Sequence, residues 1–148
     1  MSKKDISRVK DFTPTKVLVI DDDDAMVEML KLILEPVLFD VVIANNSPLG
    51  IESTRKLLPD VVILNLLMPD MSGWEVCKSI RAFSQVPILV LSAISKPGMV
   101  AKALDEGADD YLIKPMTSSV LIAHVKRLAR RARAEKDADN SKLNYSQV

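Results

Sequence analysis

Cysteine is nearly missing from this chain. The one example, Cys77, excludes an internal disulfide and leaves no thiol cluster for a metal. Histidine is equally scarce: His124 is alone and has no metal partner. Aromatic residues make up only 4% of the chain, so no aromatic platform for nucleic acid is in view. Neither sign of charge is in excess, with 20 basic and 20 acidic residues, so nothing global pulls the protein onto nucleic acid or an anionic membrane. Apolar runs break within about eight residues, far short of a membrane span. The opening residues MSKKDISRVKDF have no apolar core of the signal-peptide kind. No internal repeat or low-complexity segment is present. These absences together predict a soluble, cytoplasmic, single-domain protein.

What the chain does have is apolar content, 48% of 148 residues, enough to fill a core. Short β-rich runs alternate with helical runs. The strand candidates are Lys16–Ile20, Phe39–Ala44, Val61–Leu64, Val86–Leu91 and Asp110–Ile113. Most are continuous apolar runs, as parallel strands covered on both faces require. Between them, Met26, Val27, Leu30, Ile33 and Leu34 recur at helical spacing until Pro36. Ser47–Pro48 resembles an N-cap with a first-turn proline, and Ile51, Thr54, Leu57 and Leu58 then face one way until Pro59. Val76, Cys77 and Ile80 mark a third helix after Gly73. Val100, Ala103 and Leu104 mark a fourth, ending at Gly107. Leu121, Ile122, Val125, Leu128 and Ala129 mark a fifth. Residues 1–14 read as a loose leader, 15–133 as the folded domain and 134–148 as a polar, frayed tail. The pattern is that of a doubly wound α/β sheet.

In an open parallel sheet, the site lies beyond the carboxyl ends of the strands. The first strand is followed by Asp21 and Asp22, the third by Asn65, the fourth by Ser92, and the fifth by Lys114 and Pro115. Two acids, an amide, a hydroxyl and a lysine converging on one crevice suit a hard cation and a phosphoryl group. Magnesium takes oxygen ligands and keeps several waters, while lysine and serine can hold phosphoryl oxygens. Each residue alone has a plainer explanation: Asp21–Asp24 could simply cap a helix, Ser92 could belong to a turn, and Lys114 could be a solvated charge. Their joint placement at separate strand ends is much harder to obtain by chance.

The segments VLVIDDDD, PDVVILNLLMPDMSGWE, VPILVLSA and GADDYLIKP resemble a response-regulator receiver domain of the CheY-like kind over residues 15–131. The resemblance implies a five-stranded parallel sheet in order 2-1-3-4-5. It also implies magnesium held by Asp21, Asp22, the residue at position 65 and the backbone carbonyl of Leu67. Ser92 becomes the switch hydroxyl, Tyr111 the aromatic residue that moves with it, and Lys114 the phosphate-sensing lysine, with a cis bond to Pro115. The implied partners are a histidine kinase or phosphotransfer protein and an unidentified effector, with no direct contact to nucleic acid or membrane.

One residue departs from the family pattern. The phosphoryl acceptor is an aspartate in the family, and here it is Asn65, whose neutral amide is not a nucleophile. Magnesium binding is therefore expected to be weak. Either this is a natural receiver that works without phosphate, or an Asp-to-Asn change has been introduced; the other four chemical positions are intact, which favours a recent or deliberate change. The rival readings are a phosphate-independent interaction module (a pseudo-receiver) and, more remotely, a haloacid-dehalogenase-type phosphatase. The phosphatase reading is suggested by the Asp21/Asp23 pair but opposed by Ala25 and unable to explain MPDMSG or Lys–Pro.

Among the remaining residues, Cys77 is expected to pack, Trp74 to be a partly exposed packing residue, and His124 to lie on the surface. Lys126, Arg127, Arg130, Arg131 and Arg133 are expected to offset a helix dipole. GADDYL matches receivers that dimerise through charged fourth and fifth helices, but Val120 and His124 stand where those carry glutamate and arginine. A weak homodimer is the most this implies.

Overall fold

The computed structural model describes residues 13–146, so all but Thr13 and Pro14 of the expected leader lies outside the described residues. The strands are β1 (Thr15–Ile20), β2 (Phe39–Ala44), β3 (Val61–Asn65), β4 (Ile88–Ser92) and β5 (Asp110–Ile113). All neighbours are parallel, in the order β2-β1-β3-β4-β5, as the sequence implied. The helices are α1 (Asp24–Leu34), α2 (Ser47–Leu57), α3 (Gly73–Arg81), α4 (Pro97–Asp105) and α5 (Ser118–Ser146), with a short 3-10 turn at Glu35–Val37.

The continuous apolar runs are explained by two covered faces. Val17, Val19, Ile63, Leu89 and Leu91 pack against Val27, Leu30, Leu121 and Val125 of α1 and α5. The alternate residues Leu18, Ile20, Val62, Leu64 and Val90 pack against Val76, Cys77, Ile80 and Ala103 of α3 and α4. Each such fully buried aliphatic side chain contributes roughly 1.5–3 kcal/mol over its exposed state.

Several local expectations change. β3 and β4 each run one residue further than expected, so Asn65 and Ser92 are the last rungs of their strands. β4 also starts at Ile88 instead of Val86, since Pro87 has no N–H to give to the ladder and only its carbonyl pairs, with Val62. α2 is capped by Asn46, whose side chain accepts from Leu49 N at 2.8 Å, not by Ser47. Its buried face is Ser47, Gly50 and Thr54, while Leu57 and Leu58 are exposed. The helix lies so close to β1 that a Cβ on Gly50 would fall 2.6 Å from Ile20 Cγ2, so small residues make this closest contact, with half-buried Ile51 packing beside them as expected. On α4 only Ala103 is buried, and Leu104 is exposed.

The expected frayed tail is helical: α5 continues unbroken to Ser146. The basic residues near position 130 therefore do not sit at a helix end, and acids on other elements occupy them instead. Arg127 Nη2 pairs with Asp110 at 2.7 Å and Arg131 Nη2 with Asp109 at 2.5 Å. Lys136 reaches Asp60 at 3.1 Å, and Asp60 also accepts from Lys16 N at 2.9 Å. His124, expected at the surface, is half-buried and bonded to Asp110. Asp110 opens β5, and Asp109 and Asp60 stand just before β5 and β3, far from these residues in the chain, which is why helical spacing alone could not reveal the pairs.

Two polar anchors hold the loops. Arg81, at the end of α3, donates to the carbonyls of Gly107 (3.0 Å), Ser84 (3.2 Å) and Val86 (2.7 Å) and pairs with Asp109 at 2.7 Å. Asp70, in the loop between β3 and α3, accepts from Ser47 N at 2.9 Å, Ser47 Oγ at 3.0 Å and Met71 N at 2.9 Å. It thereby ties that loop to the start of α2. The Ser47 N–H is the main cause holding the Asp70 carboxyl below its ordinary range, assisted by the Ser47 hydroxyl.

Arg81→Ala is expected to destabilise the fold by about 3 kcal/mol, because it takes the donor from three carbonyls at once and leaves Asp109 with only Arg131 and the Ile88 N–H; urea unfolding measures this. For Asp70 the folded carboxyl is the stronger acid, so its contribution is complete above the unfolded value of 3.8 and is lost as pH falls through the lowered folded value. Acid titration of stability should accordingly be flatter in Asp70→Asn than in the native chain. Equal slopes below pH about 4 would remove this role for Asp70.

Candidate functional site

The parallel order brings the carboxyl ends of β1, β3, β4 and β5 to one edge of the sheet. Ile20 pairs with Leu64, Asn65 with Leu91 and Ser92 with Ile113. Asp21 and Asp22 leave β1, Asn65 and Ser92 end β3 and β4, and Lys114 and Pro115 leave β5 across a cis peptide bond.

The four consecutive acids divide their work. Asp23 is the N-cap of α1, its carboxylate accepting from Ala25 N at 3.0 Å and Met26 N at 3.2 Å, so the helix-capping explanation holds for that residue. A carboxylate spent on a cap is poorly placed to serve as the second acid of a phosphatase pair. Asp21 turns inward and is 3% exposed. Its carboxyl is pushed up chiefly by burial, an effect opposed by the Asp23 N–H and the Lys114 charge and reinforced by Asp22 and Asp23. Asp22 is exposed.

Asn65 joins directly to Asp21, 44 positions away in sequence: its Nδ2 donates to Asp21 Oδ1 at 3.1 Å and to the Leu67 carbonyl at 3.0 Å. Its Oδ1 accepts a longer bond from Leu67 N, 3.4 Å. The loop closes tightly beyond this point, with Gly73 N donating to Leu66 O at 2.7 Å. A Cβ at Gly73 would lie 2.7 Å from Leu66 Cα, an approach that only glycine permits.

Ser92 and Tyr111 are not joined to Asn65 but to each other's neighbourhood through Ile94. Ile94 N donates to Ser92 Oγ at 3.1 Å, and Tyr111 Oη donates to Ile94 O at 2.8 Å. Lys114 reaches the cluster through its charge on Asp21. The structure therefore brings Asp21, Asn65 and Leu67 into contact and places Asp22, Ser92, Tyr111 and Lys114 around them.

The oxygens of Asp21, Asp22 and Leu67 are the hard donors that magnesium prefers. The Asn65 nitrogen lying between two of them is a hydrogen-bond donor and does not fit a ligand's place. Among the described residues no three His, Cys, Asp or Glu side chains converge on a metal-sized space. Cys77 is buried, and burial pushes its thiol up to about 11, so it packs as expected. Trp74 is half-buried at the start of α3 with the Lys102 ammonium 4.8 Å from its ring. No helix of the described residues is long and apolar enough to cross a membrane.

Sequence reasoning missed the Asp70–Ser47 strap. The serine's place before Pro48 points to a cap on its own helix, and nothing local marks a partner 23 residues away.

Comparison with known proteins gives a consistent result. The DNA-binding response regulator MtrA of Mycobacterium tuberculosis is 39% identical over 116 residues, 78% of this chain and 51% of that protein. The chain thus spans about half the length of the curated relatives it matches. A two-component response regulator from Clostridium difficile has a crystal structure that superposes with a TM-score of 0.76 at 35% identity, covering 79% of this chain and 97% of that one. The chemotaxis protein CheY4 of Vibrio cholerae superposes at 0.74 with 28% identity, covering 78% and 99%. The family model for the response regulator receiver domain matches residues 17–126, a stretch that contains all of the sheet but the first two residues of β1 and every residue at its carboxyl edge, and the chain belongs to that family.

Proposed function

We propose that this chain is a two-component receiver module whose phosphoryl-acceptor position is held by Asn65, so that as written it takes up no phosphate. The observation that carries the proposal is the place of Asn65 itself: it is the last rung of β3, beside buried Asp21. An acyl phosphate requires a carboxylate oxygen to attack phosphorus, and an amide carbonyl is a poor substitute.

The surrounding residues have the roles the family implies. Asp21, Asp22 and the Leu67 carbonyl would hold magnesium, with Asn65 able to add only a neutral oxygen. The cation, when bound, supplies positive charge to phosphoryl oxygens. Lys114 offers a second positive charge from the end of β5. Ser92 Oγ currently accepts from Ile94 N, and Tyr111 holds the carbonyl of the same residue. A change at the Ser92 hydroxyl would thus be felt by Tyr111 through one residue, Ile94. The Lys114–Pro115 cis bond belongs to the same edge.

A histidine kinase or phosphotransfer protein is the partner on the input side. A groove of about 470 Å³ beside Lys114, lined by Met26, Met29, Ala93, Pro115 and Met116, suits an apolar helix face of such a partner. Methionine side chains adapt readily to a docking surface. The effector is unidentified, and direct contact with nucleic acid is not part of this reading. A weak homodimer would have to compete for Asp109 and Asp110, which already pair within the chain.

A second reading, a phosphate-independent interaction module, is favoured by one observation. Asp21, Asn65 and Leu67 satisfy one another without any ligand.

Incubation with acetyl phosphate and magnesium, followed by intact-mass spectrometry, should leave the native chain unmodified. Asn65→Asp should gain a phosphoryl mass, and adding Lys114→Ala should uncouple that mass from the Ser92–Tyr111 response. A phosphoryl group on the native chain, mapped to this crevice, would refute the proposal; an inert Asn65→Asp variant would turn it toward the interaction module.

Magnesium titration followed by Trp74 fluorescence should show binding to the native chain roughly tenfold or more weaker than to Asn65→Asp, since one carboxylate charge beside the cation is missing. Equal affinities would rule out that account of residue 65.

A further inference from the structure

The Asp21 carboxylate and the Leu67 carbonyl come from different segments, yet both aim at one point. That point is Nδ2 of Asn65, 3.1 Å from Asp21 Oδ1 and 3.0 Å from Leu67 O. A primary amide has two N–H donors, and here each has one acceptor. Nitrogen, not oxygen, must face these neighbours, because an ionised carboxylate and a carbonyl can only accept. The Leu67 segment is held on both sides, by Gly73 N on Leu66 O and by the grip of Asp70 on Ser47.

A hard divalent cation entering this pocket would use the same two oxygens. Magnesium needs its oxygens at about 2.0–2.1 Å, so it and the amide nitrogen cannot share the space between them. We infer that Asn65 is an internal surrogate for the cation: its amide ties the carboxylate after β1 to the loop after β3 and holds the pocket closed without metal. The inference rests on reading this edge as a receiver's magnesium pocket.

Metal entry requires the amide to turn over. The turn gives up both hydrogen bonds, one of them to a charged acceptor and therefore the stronger kind, and returns a single neutral oxygen. Asn65 thus opposes magnesium twice, by lacking charge and by competing for the ligands. A side chain with neither charge nor donors separates the two effects. If Asn65 were merely a feeble ligand, removing it would weaken metal binding further. If it is a surrogate, removing it exposes the two oxygens and the chain begins to respond to magnesium.

The test is urea unfolding of the native chain, Asn65→Ala and Asn65→Ser, each in chelator and in millimolar magnesium chloride, with Asn65→Asp as the reference. The native midpoint should be the same in both media. Asn65→Ala should have a lower midpoint in chelator and recover part of the loss in magnesium. Asn65→Ser, whose single short hydroxyl cannot bridge both oxygens, should do the same and serves if the alanine variant does not fold. A native chain that gains as much from magnesium as the alanine variant overturns the inference, as does an alanine or serine variant whose midpoint ignores magnesium. The reference variant keeps the two readings apart. If Asn65→Asp responds to magnesium and takes phosphoryl from acetyl phosphate while the alanine and serine variants stay silent, only the surrogate fails. If Asn65→Asp does neither, the receiver-pocket reading fails, and the alanine and serine midpoints still decide the surrogate.

Discussion

The side-by-side parallel pairing of β1 and β3 is the constraint on which the rest depends. With Val17 against Val61 and Ile20 against Leu64, the chain leaves both strands at the same edge. Asp21 and Asn65 become neighbours although 44 positions separate them. This register is maintained by burial on both faces: Val17, Leu18, Val19 and Ile20 are all completely covered. A one-residue slip would exchange the two packed faces and move the acid away from the amide. The core thus determines the site's geometry, and the site's polar groups offset part of their burial cost by bonding to one another.

Around that centre, the outer elements pack their apolar faces on the sheet and are fastened further by ions. Arg81 gathers the ends of α3, α4 and the approach to β5. Asp109 and Asp110 draw Arg131, Arg127 and His124 of α5 against β5. Asp60 holds Lys136 at the opposite edge of the sheet. Most of these pairs are partly solvated, so each adds modestly to stability. Their larger effect is to fix where α5 runs, and they engage the acids of GADDYL inside the chain.

At the carboxyl edge a neutral amide, Asn65, lies beside the two acids that leave β1. A carboxylate at position 65 would add a third negative charge beside Asp21 and Asp22 and create a demand for a cation. The amide removes that demand and supplies donors in its place. Burial already makes charge costly at Asp21, and the amide's N–H offsets part of that cost. The proposed loss of phosphate uptake and the proposed independence from magnesium then have one origin in a single side chain.

Much of this architecture could be read from local pattern. Strand and helix periodicities repeat within a few residues, so the alternation, the doubly wound sheet and the identities at the strand ends, including the amide at position 65, are legible in the chain itself. Other features depended on contacts between distant segments. The buried face of α2 proved to be Ser47, Gly50 and Thr54 because the helix sits against Ile20, a closeness that hydrophobic spacing cannot express. The polar run after residue 133 stayed helical, with Lys136 held by Asp60, 76 positions earlier. Sequence by itself determined which groups exist at the carboxyl edge, an amide at position 65 among them. Only the tertiary structure decided that Asp70 straps the loop to Ser47 and that the Asn65 nitrogen faces Asp21 and Leu67. A hydrogen bond's direction is set by the acceptors that folding brings near, and those lie on other strands and loops.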